Sequence, residues 1–294
     1  MGIQDMHAYS VTPPNVSASE SNLRDPRDAP CFMIGMPHMD GQGLSLSWLL
    51  RESGHLHWMS VAEFAGRPPH GLRDLQGNRV LPAVVAGTVA GRPGAFGEDD
   101  VVELKLVQRP SPLNGWRSVT EIGSTCGARL TVELVTVFAI RSGTSNRSLE
   151  LACMAPEFLS ERGTMTSRRT DQIRRMGSKE RRAVGEADTE QPARSILVSS
   201  HLHFNGAGLG CFAGMHDYFV ASEEVGLRAE PGFPQVESRR VHYFENIDAG
   251  DTLDIFTRSE TRLVEGETCL VMTSHARRRT DGFVVAVCES VYGR

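Results

Sequence analysis

The chain has 294 residues, of which 40% are hydrophobic and 23% charged, and it carries a formal net charge of -5. That length suits about two domains, and the acidic balance excludes a global basic field of the kind that attracts nucleic acid. No stretch approaches the roughly 18 consecutive apolar residues of a spanning helix, so no membrane partner is expected.

Residues 1–28 are rich in Ser, Pro, Asn and Asp and lack both an apolar core and a signal-peptide pattern. A disordered tail and a cytoplasmic location are therefore expected. The first folded unit is expected over 29–156. It begins with the loop His38-Met39-Asp40-Gly41-Gln42-Gly43-Leu44. This loop feeds an apolar run, Leu44 to Leu50, that reads as a buried helix. His55 and His57 follow beside Trp58 and are expected to pack. Glu98 to Leu104 reads as an acidic turn opening a strand, and Val132 to Phe138 alternates at period two. Leu130 to Arg141 and Ser148 to Ala152 close the unit as strands.

Residues 157–194 are expected to be a charged linker without regular structure, being nearly empty of aliphatic side chains. Its cations, Arg168, Arg169, Arg174, Arg175, Lys179, Arg181 and Arg182, suit either a solvated face or the docking of an acidic carrier protein. The second unit, 195–294, then repeats the first. His203-Phe204-Asn205-Gly206-Ala207-Gly208-Leu209 keeps His, Asx, both glycines and Leu, with 205 standing 165 positions after 40. A shared register followed by a second apolar run, Leu209 to Val220, points to duplication. Ala249 to Ile255 matches the acidic turn and strand of the first unit, and Thr268 to Arg279 with Gly282 to Ser290 matches its last strands.

A nearly all-apolar helix followed by a meander of strands suggests a sheet wrapped around one central helix. That is the hot-dog arrangement, so the expected fold class is α+β, a double hot dog. Six scattered cysteines show no zinc-ligand spacing and read as reduced structural thiols, and no metal is expected.

The duplicated loop carries whatever chemistry the chain has. Gly41 and Gly43, and Gly206 and Gly208, would let backbone approach a ligand and aim N–H groups at a helix N-terminus. With Leu44 and Ser45 they form a candidate oxyanion and substrate-binding site. Asp40 and Asn205 could position water, act as a base or cap the helices. His38 and His203 are candidate proton-transfer groups or loop braces.

Gly35-Met36-Pro37-His38, Gly43-Leu44-Ser45, Trp48-Leu49-Leu50-Arg51, Gly54 and His57-Trp58, with Phe204-Asn205-Gly206-Ala207-Gly208-Leu209 and Phe212-Ala213 later, resemble the double hot-dog acyltransferase/decarboxylase family of leinamycin-type polyketide biosynthesis. The resemblance spans both repeats. It implies a homodimer without metal or redox cofactor, acting on acyl-coenzyme A and an acyl carrier protein, with coenzyme A or phosphopantetheine as part of the substrate. It further implies decarboxylation of a (methyl)malonyl thioester and acyl transfer to the carrier. The tyrosine proposed to act in that family has no counterpart in the first motif here.

Three other readings stand beside it. A thioesterase would use an Asx beside a core-helix N-terminus. A dehydratase or isomerase would pair His38 with an acid such as Asp217. A non-catalytic carrier-binding protein would keep the cleft alone. Arg117, Arg141 and Arg277 could meet coenzyme A phosphates or form surface ion pairs.

Overall fold

A computed structural model describes residues 29–159, 167–185, 191–228, 235–264 and 266–293. The expected tail over 1–28 lies outside them. In chain order the first repeat comprises β1 (Cys31–Met33), β2 (Met39–Asp40), β3 (Gly43–Leu44), α1 (Leu46–Phe64), β4 (Leu81–Gly91), β5 (Val101–Gln108), β6 (Arg117–Ser124), β7 (Arg129–Arg141) and β8 (Leu149–Leu151). After α2 (Arg168–Gly185) come β9 (Arg194–Leu197), α3 (Ser200–His203), α4 (Phe212–Leu227), β10 (Gln235–Tyr243), β11 (Thr252–Val264), β12 (Glu267–Arg278) and β13 (Val284–Gly293).

The main sheet runs β1-β5-β6-β7-β4-β10-β13-β12-β11-β9, with β8 paired to β7. This order is a palindrome of two units, each laid out as its first, third, fourth, fifth and second strand. The units meet at β4 and β10, which pair antiparallel from Ser238↔Ala90 to His242↔Ala86. The double hot dog is therefore one continuous antiparallel sheet with two central helices.

Helix α1 forms because Ser45 accepts the Trp48 amide as N-cap and no β-branched residue interrupts the sequence before Val61. Leu46, Leu49, Leu50, Ser53, His57 and Val61 recur at spacings of one to four and turn one face inward. Burying each Leu side chain contributes about 2 kcal/mol. The helix stops at Ala65, where Gly66 turns left-handed (φ +59°). Helix α4 buries Ala213, Met215, Tyr218, Phe219 and Ser222 and exposes Asp217, Glu224 and Val225.

The two helices register one residue beyond the motif shift. The N-caps are Ser45 and Cys211, 166 positions apart, because the second loop is one residue longer before its helix. On that register His57 corresponds to Glu223, and both are buried. His57 meets the hydroxyls of Ser118 (2.7 Å) and Thr136 (2.9 Å), while Glu223 accepts from Ser290 (2.8 Å) and Tyr292 (2.6 Å) and pairs with Arg239. Each core helix thus carries one polar residue satisfied by the sheet around it. Burial pushes the His57 pKa down to about 4 and keeps it neutral, consistent with the packing role expected for it.

The linker differs from expectation. Its segment Arg168–Gly185 is helical, because Thr170, Ile173, Gly177, Glu180 and Val184 fall at helical spacing and make one face that packs on the sheet. Thr170 Oγ1 donates to the Gly115 carbonyl (2.9 Å), Glu180 pairs with Arg240 (3.0 Å), and Val184 joins Val284, Val287 and Phe244. A Cβ on Gly177 would lie 2.8 Å from the His242 ring, so helix and sheet touch there.

Candidate functional site

The duplicated loops are built alike. Asp40 Oδ1 accepts the Gln42 amide (2.8 Å) and Asn205 Oδ1 accepts those of Ala207 (2.9 Å) and Leu209 (3.2 Å). Both are Asx turns. The side chains therefore shape the loops rather than cap the helices. His38 Nδ1 accepts the Gly35 amide (3.1 Å) and His203 Nδ1 accepts the Ser199 amide (2.9 Å). Each imidazole also lies edge-on to an aromatic ring, Trp48 at 5.0 Å and Tyr218 at 5.1 Å. With Nδ1 an acceptor, each neutral ring carries its proton on Nε2. Leu44 and Leu209 anchor the loops in the core.

The glycines divide by role. A Cβ on Gly43 (φ +117°) would lie 2.5 Å from the Pro93 carbonyl oxygen and 2.6 Å from the Gly94 Cα, so backbone meets backbone there. Gly41 and Gly206 have nothing within 4 Å of that point. Gly208 is left-handed (φ +71°), and Arg141 donates to its carbonyl (3.3 Å) and to that of Ala207 (3.1 Å). Arg141 thus braces the second loop. Arg117 forms a forked pair with Glu133, and Arg277 lies over the Phe256 ring at 5.3 Å.

The first loop opens on a cleft of about 660 Å³ between the two repeats. Asp40, Gly41, Gln42 and the first turn of α1 (Ser45, Leu46, Ser47) form one wall. His216, Asp217, Val220 and Glu224 of α4 form the other, and Arg239 of β10 also lines it. Leu49 makes the first helical hydrogen bond, to the Ser45 carbonyl (3.1 Å), so the amides of Leu46 and Ser47 precede the ladder at the positive end of the helix.

Asp217 is the focus of this cleft. It lines the cleft with Ser47 and lies 3.7 Å from Arg51. Partial burial, and next the nearby Asp40 carboxylate, raise its pKa above the usual range against the pull of Ser47 and Arg51. His203 feels the same group: burial lowers its pKa while Asp217 opposes the shift. Asp40 of the first loop and His203 beside the second are therefore both electrostatically coupled to Asp217.

Behind Asp217 lies a buried network. Arg239 pairs with Glu223 and donates to Ser290 (2.8 Å), Tyr292 (2.8 Å) and His216 Nε2 (3.0 Å). Since Arg donates only, the His216 proton sits on Nδ1. Burial first and the Arg239 charge second hold its pKa well below the ordinary value. His216 and Arg239 escape motif reading because they meet only when α4 lies across β10. Asp217 enters the sequence reading solely as a possible partner for His38.

At the α4 N-terminus the arrangement differs. Phe212, the counterpart of Leu46, packs against α1 so closely that a Cβ on Gly54 would lie 2.9 Å from its ring. Asn205, Cys211, Phe212 and Tyr243 instead line a smaller cleft of about 320 Å³, walled by Val84 and Val137. All six cysteines are free thiols. Among the described residues no cluster of three or more His, Cys, Asp or Glu could hold a metal ion, and no helix is long and apolar enough to cross a membrane.

No protein-family model matches the chain, and no curated protein matches it in sequence. Solved structures do match in fold. An acyl-ACP thioesterase from Bacteroides thetaiotaomicron aligns with a TM-score of 0.54 at 10% identity, covering 90% of this chain and 96% of its own. A candidate oleoyl thioesterase from Lactobacillus plantarum gives 0.59 at 11%, covering 90% and 95%. The 12:0-ACP thioesterase from Umbellularia californica gives 0.51 at 13%, covering 90% and 92%. At such identities the likeness establishes architecture, and the palindromic sheet around two buried helices makes that architecture the double hot dog.

Proposed function

We propose that the chain hydrolyses an acyl thioester, carried by coenzyme A or by phosphopantetheine, in the cleft between α1 and α4. One observation carries this reading: Asp217, a carboxylate of raised pKa, shares the cleft with the leading amides of α1. The thioester carbonyl oxygen lies toward the Leu46 and Ser47 amides, which stabilise the oxyanion as it forms. Asp217 takes a proton from water, and the water oxygen bonds to the carbonyl carbon. The C–S bond then breaks, and the departing sulfur receives a proton and leaves as the free thiol. Asp40 supports a raised Asp217 pKa, and Arg51 limits the rise.

Asp40 and Asp217 flank the leading amides of α1 and weigh against a malonyl carboxylate at that end of the cleft, whose lining also includes Glu224, Arg228 and Arg239. Hydrolysis is therefore preferred to the decarboxylative transfer implied by the resemblance. The test is to incubate wild type and Asp217→Asn with acyl-coenzyme A substrates of graded chain length and follow free thiol and free acid. The expected result is equal release of both by wild type, reduced about 100-fold or more in the variant. Carbon dioxide released from methylmalonyl-coenzyme A with the acyl group passing to a carrier would overturn hydrolysis in favour of decarboxylative transfer.

A further inference from the structure

Helix α2 presents two faces with unlike chemistry. Its inner face, with Thr170, Gly177, Glu180 and Val184, packs on the seam between the repeats. Arg168, Arg175, Lys179 and Arg182 are separated by 7, 4 and 3 residues and fall on one stripe on the opposite side, all exposed. The stripe spans 14 residues, about 21 Å at the helical rise. Among the described residues none of these four cations forms an ion pair. Met176 lies beside them, 40% exposed.

This arrangement works against the helix itself. Arg175 and Lys179 repel at i,i+4, and Arg168 stands at the positive end of the helix dipole. A stripe meant only for solubility would gain from interspersed acids; Asp171 borders the stripe in the first turn, and positions 172, 175, 176, 179, 182 and 183 contain none. The chain as a whole is negative, at -5. A broad anionic surface such as a bilayer or a nucleic acid would extend past the stripe of about 21 Å over a chain whose net charge is negative. A single acidic helix would meet the stripe alone.

We infer that the outward face of α2 is the docking surface for the acidic helix of an acyl carrier protein, with the cations pairing its carboxylates and Met176 contacting an apolar side chain between them. The identity of the partner rests on the thioester reading above; the shape and charge of the surface do not. Arg174, on the flank of α2, lines the 320 Å³ cleft at the α4 N-terminus, a cavity separate from the α1–α4 cleft of the hydrolytic reading.

The test is fluorescence anisotropy of a labelled, acidic holo-acyl carrier protein titrated with the full-length chain. Wild type is compared with the triple variant Arg175→Glu, Lys179→Glu, Arg182→Glu and with Met176→Ala, each checked for an unchanged melting midpoint. The expected result is saturable binding that weakens with added salt, falls about tenfold or more in the triple variant and falls severalfold in Met176→Ala. Equal binding by wild type and triple variant overturns the proposal. So does a wild type that ignores the carrier and binds anionic phospholipid vesicles instead. Carrier binding through α2 without thioester hydrolysis would leave the docking surface standing and remove the hydrolytic reading.

Discussion

Asp217 gains its chemistry from residues that lie far from it in sequence. Partial burial and Asp40 raise its pKa, while Ser47 and Arg51 lower it. A general base works as the carboxylate, so kcat/KM climbs with pH through the Asp217 pKa. The raised pKa places this climb above the ordinary carboxylate range near pH 4. Asp40→Asn removes a like charge and moves the acidic limb to lower pH, whereas Arg51→Ala removes an opposite charge and moves it higher. Profiles of kcat/KM against pH for the two variants check this, and limbs that stay in place in both would show that Asp217 is not the titrating base. Asp40 stands out in the sequence because its loop occurs twice. His216 and Arg239 do not, since 23 residues separate two side chains that hydrogen-bond only in the folded chain.

At the scale of elements, legibility followed repetition and periodicity. Both loops, both core helices and strands β5, β7, β8, β11, β12 and β13 could be read from the chain. The seam strands could not. In β4, Ala83 to Ala86 and Val89 read as a nearly continuous apolar run because the strand is paired on both edges and covered by helix, so no alternation marks it. In β10, Arg239 and His242 are polar residues that no pattern marks as buried, and only the partners supplied by α4, α2 and β13 make them internal. The motif glycines, alike in sequence, differ in the fold and so separate by mutation. Gly43→Ala forces a Cβ into the Pro93–Gly94 backbone at positive φ, which costs about 1–3 kcal/mol for the conformation alone. Gly41→Ala meets open space and stays within about 0.5 kcal/mol of wild type. Denaturant midpoints for the pair are expected to differ accordingly, with activity lost alongside stability only in Gly43→Ala. Equal midpoints would show that the first loop does not lean on Gly94.

Each repeat keeps a buried cluster of its own, around Trp116 and Phe138 in the first and around Phe219 and Ile255 in the second, and a third cluster is shared between them. Leu46, Leu49, Leu50, Val89 and Leu134 of the first repeat share one buried cluster with Ala213, Val236, Leu270, Met272 and Tyr292 of the second, and the β4–β10 ladder joins the two halves of the sheet. Separate unfolding would strip that cluster and expose two unpaired strand edges, so the repeats are expected to melt as one cooperative unit. All three tryptophans, Trp48, Trp58 and Trp116, belong to the first repeat, which makes their fluorescence a local probe there. Arg239→Met strikes the second repeat: it leaves Glu223 buried without its cation, at a cost of about 3–5 kcal/mol. In urea titrations the tryptophan midpoint of this variant should fall together with the far-UV circular dichroism midpoint, because damage at β10 reaches α1 through the seam. A tryptophan transition left where wild type has it, with the circular dichroism curve split in two, would mean that the repeats fold independently and that the cleft between them is a contact of separate domains.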